Sequence, residues 1–337
     1  MSIQMLETPI VCETMTVTPE VQDSEQIESH RRELTAYCYR MLGSSFDADD
    51  AVQETIVRAW RASDQFEGRS SLKSWLYRIA TNVCLDHLRG RKRRARPMEL
   101  GPSRPPIEAS LEGVLPDDAW VSPIADQRVL PLEADPAELS AERDTIRLAF
   151  VAALQHLPAR QRAVLILCEV LRWQAVEVAD LLDTTVPAVN SALQRARATL
   201  KGLDLESHAA ALDSDQSELL LKYVDAFERY DIEELVCLLQ EDAIQSMPPY
   251  AMWLQGADDI GRWMLGVGHD CRGSRLIATR ANGGPAFAQY RQARGGGHRP
   301  WALQVLEISG DRISAIHSFL DVEDLFPAFD LPSQLPA

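Results

Sequence analysis

Along most of the chain the hydrophobic positions fall three and four apart, and only towards the C-terminal end do they begin to alternate. From Ile27, Leu34, Tyr37, Cys38, Met41 and Leu42 share a helical face that ends at Gly43, a plausible C-cap. Asp47, Asp49 and Asp50 then place acids in the first turn of a second helix, AVQETIVRAW, where the helix dipole favours them. Val52, Ile56, Val57 and Trp60 share one side of it, and Val52, Ile56 and Trp60 are expected in the core. Leu76, Ile79, Ala80 and Val83 predict a third helix over Ser71 to Arg89. Ile146, Phe150, Val151, Leu154 and Leu157 predict one amphipathic helix stopped near Pro158, and ARQRAVLILCEVL predicts another. After Trp173 come a short helix, a tight turn near Asp183 to Thr185 and a helix led by Val186 and Pro187, with Ala179, Leu182, Val189 and Leu193 inside. That is helix-turn-helix spacing.

The end of the chain changes period. SELLLKYVDAFERYDIEELVCLL reads as two helices, with Leu220, Val224 and Phe227 on one face, and GADDIGRWML as a third. RLIATRANGGPAFAQYRQ, PWALQVLEIS and DRISAIHSFL read as strands, turning at Asn282 to Pro285 and at Gly310-Asp311. Helices followed by a curved antiparallel sheet predict an α+β domain. The expected fold is therefore multidomain, with two all-α domains followed by an α+β domain.

Two stretches lack a period. Residues 1–26 are polar and acidic and read as a disordered tail. Residues 98–139 carry seven prolines, from Pro102 to Pro136, which exclude a continuous helix and predict an extended linker. Trp120 is its exception, because a large ring in a polar stretch usually docks onto something. The predicted organisation is thus a tail (1–26), a helical domain (27–97), a linker (98–139), a helix-turn-helix domain (140–203) and the α+β domain (204–337).

Charge sharpens this division. The chain holds 34 basic and 50 acidic residues, for a net charge of -16. By segment the balance is -5 over 1–26, +5 over 27–97, -7 over 98–139, +2 over 140–203 and -11 over 204–337. The basic excess falls only in the two segments whose patterns suit DNA, and Arg69 to Arg96 alone reach +8. Phe66, Ser70 and Trp75 add groups suited to unpaired bases, which bind by stacking and edge hydrogen bonds. In the second segment Asn190, Ser191, Gln194, Arg195 and Arg197 fall on or beside the outer face of the last helix, where Asn and Gln suit adenine and Arg suits guanine or phosphate.

The run FEGRSSLKSWLYRIATNVCLDHLR resembles region 2 of the extracytoplasmic-function (ECF) group of sigma-70 family sigma factors. LPARQRAVLIL with the helix-turn-helix resembles region 4 of the same family. The resemblance implies a promoter-specificity subunit of RNA polymerase that melts and reads the -10 element and reads the -35 element. It places -10 contacts at Phe66, Arg69, Ser70, Trp75, Asn82, Asp86 and Arg89, to which the basic charge of the same stretch adds Lys73, Arg78, Arg91, Lys92 and Arg93. It places the -35 contacts at Thr185, Pro187, Asn190, Ser191, Gln194, Arg195 and Arg197, although many relatives have basic residues in place of Asn190 and Ala192. DADDAVQETIVRAWR resembles the segment that grips polymerase, which makes Asp49, Asp50, Gln53, Glu54 and Arg58 candidate contacts. By the same analogy the acidic linker could imitate nucleic acid, a role no better supported than that of a solvated spacer.

FERYDIEELVCLLQEDAIQSMPP and HSFLDVEDLFPAFDLP look like a SnoaL-like domain of the nuclear-transport-factor-2-like superfamily, a cone around a pocket. Fused to an ECF core, such a domain is expected to take the place of a separate anti-sigma factor, through a small-molecule ligand or an intramolecular contact. Trp120, Tyr250, Trp253, Trp263, Tyr290, Trp301, His317 and Asp321 are candidates for its pocket or contact surface. Asn282 and Gly283 resemble a motif that relatives place near the sigma core. His317 could pair with Asp321 or Asp242 as acid and base, but no spacing brings them together, and catalysis is not expected.

Six scattered cysteines indicate neither a disulfide framework nor a metal site, and no cofactor is implied. No apolar run is long enough to cross a membrane and no signal peptide is evident, so the expected location is cytoplasmic. Two other classes stay open: a conventional helix-turn-helix regulator, which would bind duplex DNA without polymerase, and a SnoaL-like enzyme with a DNA-binding front end, which would lose turnover on substitution of His317 or Asp321.

Overall fold

The computed structural model describes residues 25–63, 66, 70–131, 135–201 and 214–337. The expected tail up to residue 24, and Arg69, lie outside the described residues.

Helix α1 (Arg31–Leu42) stops at Gly43, whose φ of 69° suits a residue without a side chain. Helix α2 (Ser45–Arg61) starts before its acids, because the Ser44 side chain accepts the Asp47 N–H. Ser71 caps α3 (Leu72–Leu88) in the same way, through Ser74. The three helices pack around Tyr37 and Tyr77, whose rings meet edge to face at 5.1 Å. Trp60 departs from expectation. The buried stripe of α2 runs through Ala48, Val52, Thr55 and Ala59, so Trp60 falls beyond its edge and is 50% exposed.

The proline-rich segment is a strap and not a free spacer. It buries Val121, Ile124, Ala125, Val129 and Leu130, and forms a one-turn helix, α4 (Asp126–Val129). The single helix expected up to Leu157 is two, α5 (Pro136–Ile146) and α6 (Leu148–Leu154), broken at Arg147, whose ψ of 142° is extended. The break frees the Ile146 carbonyl, which accepts a hydrogen bond from the C-terminal domain instead. Helix α7 (Ala159–Leu165) continues through a π-turn to Val170. The helix-turn-helix is α8 (Ala175–Leu181) and α9 (Val186–Lys201), turning at Asp183 with φ 51°.

The C-terminal domain runs α10 (Ser214–Arg229), α11 (Ile232–Cys237), β1 (Leu239–Ser246), β2 (Trp253–Gln255), α12 (Ala257–Leu265), β3 (Arg275–Ala281), β4 (Gly284–Gln292), β5 (His298–Ser309), β6 (Arg312–Phe319) and α13 (Val322–Ala328). Its six strands are ordered β2-β1-β6-β5-β4-β3. The sheet is mixed, whereas an antiparallel one was expected: β1 lies parallel to β6 because the β3–β6 meander returns beside a strand laid down before α12.

Both faces of the central strands are buried. Phe287, Leu306 and Ile316 belong to the core inside the cone, whereas Ala286, Ala288, Tyr290, Leu303 and Val305 join a core shared with the helical domains. The alternation is the two-residue period of a strand with apolar partners on both sides. The cone is thus built onto the helices and not merely tethered to them.

Candidate functional site

The basic surface of α3 and the run after it is largely occupied by the chain's own acids. Arg91 and Arg94 both bond the Asp47 carboxylate at 2.7 Å, and Arg93 bonds Glu99 at 2.6 Å. Lys73 pairs with Glu33, Arg89 with Asp86, and Arg78 donates to the Asp180 carbonyl of α8 at 2.8 Å. Burial alone would raise the Asp47 pKa, but Arg94 and Arg91 outweigh it and hold the carboxyl below its ordinary value. Lys92 has no ion pair among the described residues, and Asn82 is exposed. Phe66 covers Trp75, their rings 5.0 Å apart, and Ser70 is exposed beside them.

On α2, Asp50 and Gln53 are exposed, while Asp49 is held by Arg128 of the strap and Glu54 by Arg58 and His87. The contrast with α9 is direct. Thr185, Pro187, Asn190, Ser191, Gln194, Arg195 and Arg197 are all exposed; Arg195 bonds only Ser191 of its own helix, and Arg197 pairs with Glu169.

Two buried arginines lock the helical domains together. Arg40 donates to Glu142 at 2.6 Å and to Thr145, and Arg162 donates to the Met41 carbonyl and to Gln155. Burial pulls the Arg162 pKa down to about 10.

Asn282 makes the joint between the cone and both helical domains. With Gly283 it forms the β3–β4 turn, at φ 55° and 77°, the left-handed pair that an Asn-Gly turn supplies. The buried Asn282 amide donates to the Tyr39 hydroxyl of α1 at 2.6 Å and to the Ile146 carbonyl at 2.7 Å, and accepts the Ile124 N–H at 3.1 Å. Gly283 donates to Asp126 at 2.7 Å, and a Cβ there would lie 2.8 Å from the Cβ and carbonyl oxygen of Arg143. Arg280 bonds the same Asp126. Burial raises the Asp126 pKa despite these partners.

Sequence reasoning missed Tyr39, Asp126 and Arg143 as members of this joint, and Arg128 as the partner of Asp49. The available signal was Val121, Ile124 and Val129, an apolar cluster in a segment that composition marked as polar.

The other candidates divide. Trp253 anchors the strap, its indole N–H donating to the Gly101 carbonyl at 2.9 Å, and Tyr250 bridges to Val114. Trp120 is buried and, with Asp321, Asp47, Arg91 and Arg94, lines a cavity of about 380 Å³ between the cone, the strap and α2. Trp263 and Trp301 line a second cavity, of about 280 Å³, inside the cone. Tyr290 lies outside both, packed on Phe326. His317 meets neither Asp321 nor Asp242. It bonds the Ser246 hydroxyl at 2.8 Å and lies 3.5 Å from the Glu307 carboxylate, because its strand β6 is flanked by β1 and β5.

Residues 26–94 match the family model of sigma-70 region 2, and residues 147–200 match that of sigma-70 region 4. ECF RNA polymerase sigma factor SigG of Mycobacterium tuberculosis (strain ATCC 25618 / H37Rv) is 47% identical over 321 residues, covering 93% of this chain and 84% of that protein. The chain belongs to the ECF sigma factor family. ECF RNA polymerase sigma factor SigW of Bacillus subtilis (strain 168), 28% identical, covers only 52% of this sigma factor, whereas the match to SigG includes most of the C-terminal domain as well. The crystal structure of Mycobacterium tuberculosis SigJ shares the fold, with a TM-score of 0.58 over 91% of this chain and 99% of that one, at 19% identity. Among the described residues no helix is long and apolar enough to cross a membrane.

Proposed function

We propose that this sigma factor binds core RNA polymerase through α2, captures the melted -10 strand on α3 and its preceding loop, reads the -35 duplex with α9, and is held in a restrained state by its strap and cone. Asn282 carries the restraint: one buried amide is shared by α1, the strap and the α5–α6 break, so the seated β3–β4 turn ties these three positions to the cone, beside the arginine contacts that join the helical domains directly. While it is seated, Arg128 occupies Asp49 and the basic run is paired with acids where phosphates would bind. The -10 contacts proposed are Phe66, Ser70, Lys73, Trp75, Arg78, Asn82, Asp86, Arg89, Arg91, Lys92 and Arg93, with Arg69 carried by the family resemblance alone.

The cone acts by binding and not by turnover. Among the described residues its cavity is lined by two exposed acids, Glu108 and Asp270, by Tyr223 and Cys271, and by no histidine, and His317 lies outside it. A general acid or base needs a titratable group free beside the ligand, and here the Tyr223 hydroxyl is held by Gln304 and the Cys271 sulfur by Arg291.

Run-off transcription with core polymerase and a promoter library tests this reading. The expected result is initiation from a defined -35/-10 pair, with higher yield from Asn282→Ala than from the unaltered chain. Specific duplex binding without any polymerase-dependent initiation would overturn it in favour of a conventional regulator.

A further inference from the structure

The cavity inside the cone has walls of two kinds. One side is apolar, formed by Phe227, Leu235, Ile260, Trp263 and Met264. The other is polar and rich in donors. Tyr223 donates to Gln304 at 2.8 Å, Gln304 to Gln289 at 3.0 Å, and Gln289 to Ser274 at 3.0 Å. This relay uses one N–H of each glutamine amide and leaves the second on each. Gln245, 6% exposed, lines the same side.

Arg291 is the cavity's cation. It lies flat on Trp301, 3.4 Å from the ring centroid, and donates to Cys271 Sγ at 3.1 Å. No carboxylate pairs with it among the described residues, and its Nε, buried, has no partner. An arginine held on an aromatic face, with its charge unmatched beside spare amide donors, suits an anionic oxygen pair. The two acids that reach the cavity, Glu108 and Asp270, stand exposed at its edge, where water screens them.

Glu108 and Leu111 come from the strap and not from the cone. They belong to the turn Glu108–Leu111, and Leu111 packs partly buried against the cone core. The strap is pinned on either side of this turn, by Arg104 N–H to the Trp253 carbonyl at 2.8 Å and by Leu115 N–H to the Pro249 carbonyl at 3.0 Å. Further along, the same strap supplies Arg128 to Asp49 and Ile124 to Asn282.

We propose that the cone cavity binds a small apolar carboxylate, gripped by Arg291 and the glutamine amides, and that the strap turn Glu108–Leu111 is its lid. Occupancy of the cavity is then linked to the placement of the strap, and through it to the polymerase-facing side of α2. The inference rests on the restraining role of the cone proposed above, and supplies the ligand that would set it.

The test is calorimetric titration of the full chain with 2-naphthoate, and with 2-naphthamide as its neutral isostere, alongside hydrogen exchange of residues 105–115. The acid is expected to bind about tenfold tighter than the amide, as a charge-assisted contact requires. Arg291→Gln removes that preference and Arg291→Lys keeps it, so a general loss of folding is distinguishable from loss of the charge. Leu111→Ala speeds dissociation while preserving the preference, and bound 2-naphthoate slows exchange over 105–115. No binding of 2-naphthoate, or equal affinity for acid and amide, overturns the ligand class. Unaltered exchange over 105–115 in the bound protein overturns the lid. Because the titration contains neither polymerase nor DNA, its failure leaves the sigma reading intact, and failure of run-off transcription leaves a positive titration standing.

Discussion

The two surfaces of this sigma factor proposed to face DNA are built alike and presented differently. Both are helices with polar and basic side chains on one face. On α9 that face is in solvent, and among the described residues Asn190, Gln194 and Arg195 have no partner outside their own helix. Around α3, Lys73, Arg78, Arg91, Arg93 and Arg94 are each held by an acid or a carbonyl elsewhere in the chain. The difference lies in what competes for each surface. Exposed ion pairs contribute little individually, about 0–1 kcal/mol, so the acids bias region 2 without sealing it. In the restraint proposed above, the seal is the buried joint at Asn282, where unmatched polar groups are costly.

The largest predicted effect follows from breaking that joint. Asn282→Ala leaves the Tyr39 hydroxyl and the Ile146 carbonyl without their donor, at a cost of about 2 kcal/mol, which should raise polymerase affinity roughly 30-fold in equilibrium titrations. Gly283→Ala should act in the same direction, since the new Cβ would strike Arg143 and the turn keeps a positive φ. Next, Asn190→Ala on α9 should weaken -35 duplex binding by about tenfold, in the unaltered chain and in Asn282→Ala equally, because that surface is already open. A loss confined to the Asn282→Ala background would erase the contrast. A smaller effect, about threefold in polymerase affinity, is expected from Arg128→Ala, which frees Asp49 but leaves the joint in place.

The smallest prediction concerns pH. Burial alone would raise the Glu307 pKa, but the hydrogen bond and charge of His317 bring it down from 4.5 to about 2. A folded-state pKa below the unfolded one stabilises above the unfolded value and is lost as pH falls through the folded one. The cone should therefore lose stability between pH 4.5 and about 2, and Glu307→Gln should flatten that part of the thermal denaturation profile.

Much of this architecture was legible in the sequence because its signals are local. Helical spacing placed α1, α3 and α9, and the strand period and Asn-Gly turn placed the β3–β4 hairpin. What escaped depends on contacts between distant residues. Trp60 lies off the buried stripe, which Ala59 carries, and the break between α5 and α6 at Arg147 leaves the Ile146 carbonyl to a partner more than a hundred residues away, Asn282. His317 found Ser246 and Glu307 through strand order, which no spacing announces. The strap misled most: proline density correctly excluded a long helix but concealed that Ile124, Ala125 and Val129 are core residues.

In the proposed restraint the β3–β4 turn is seated in the free protein and leaves when polymerase binds. Two backbone amides report on it directly: Asn282, which donates to the Ile124 carbonyl at 3.0 Å, and Gly283, which donates to Asp126 at 2.7 Å. Hydrogen exchange at these amides should be slow in the free chain and accelerate when core polymerase is added. Equal protection in the free chain and in the polymerase complex would contradict the account, since the joint would then be a permanent feature of the active factor and not its restraint.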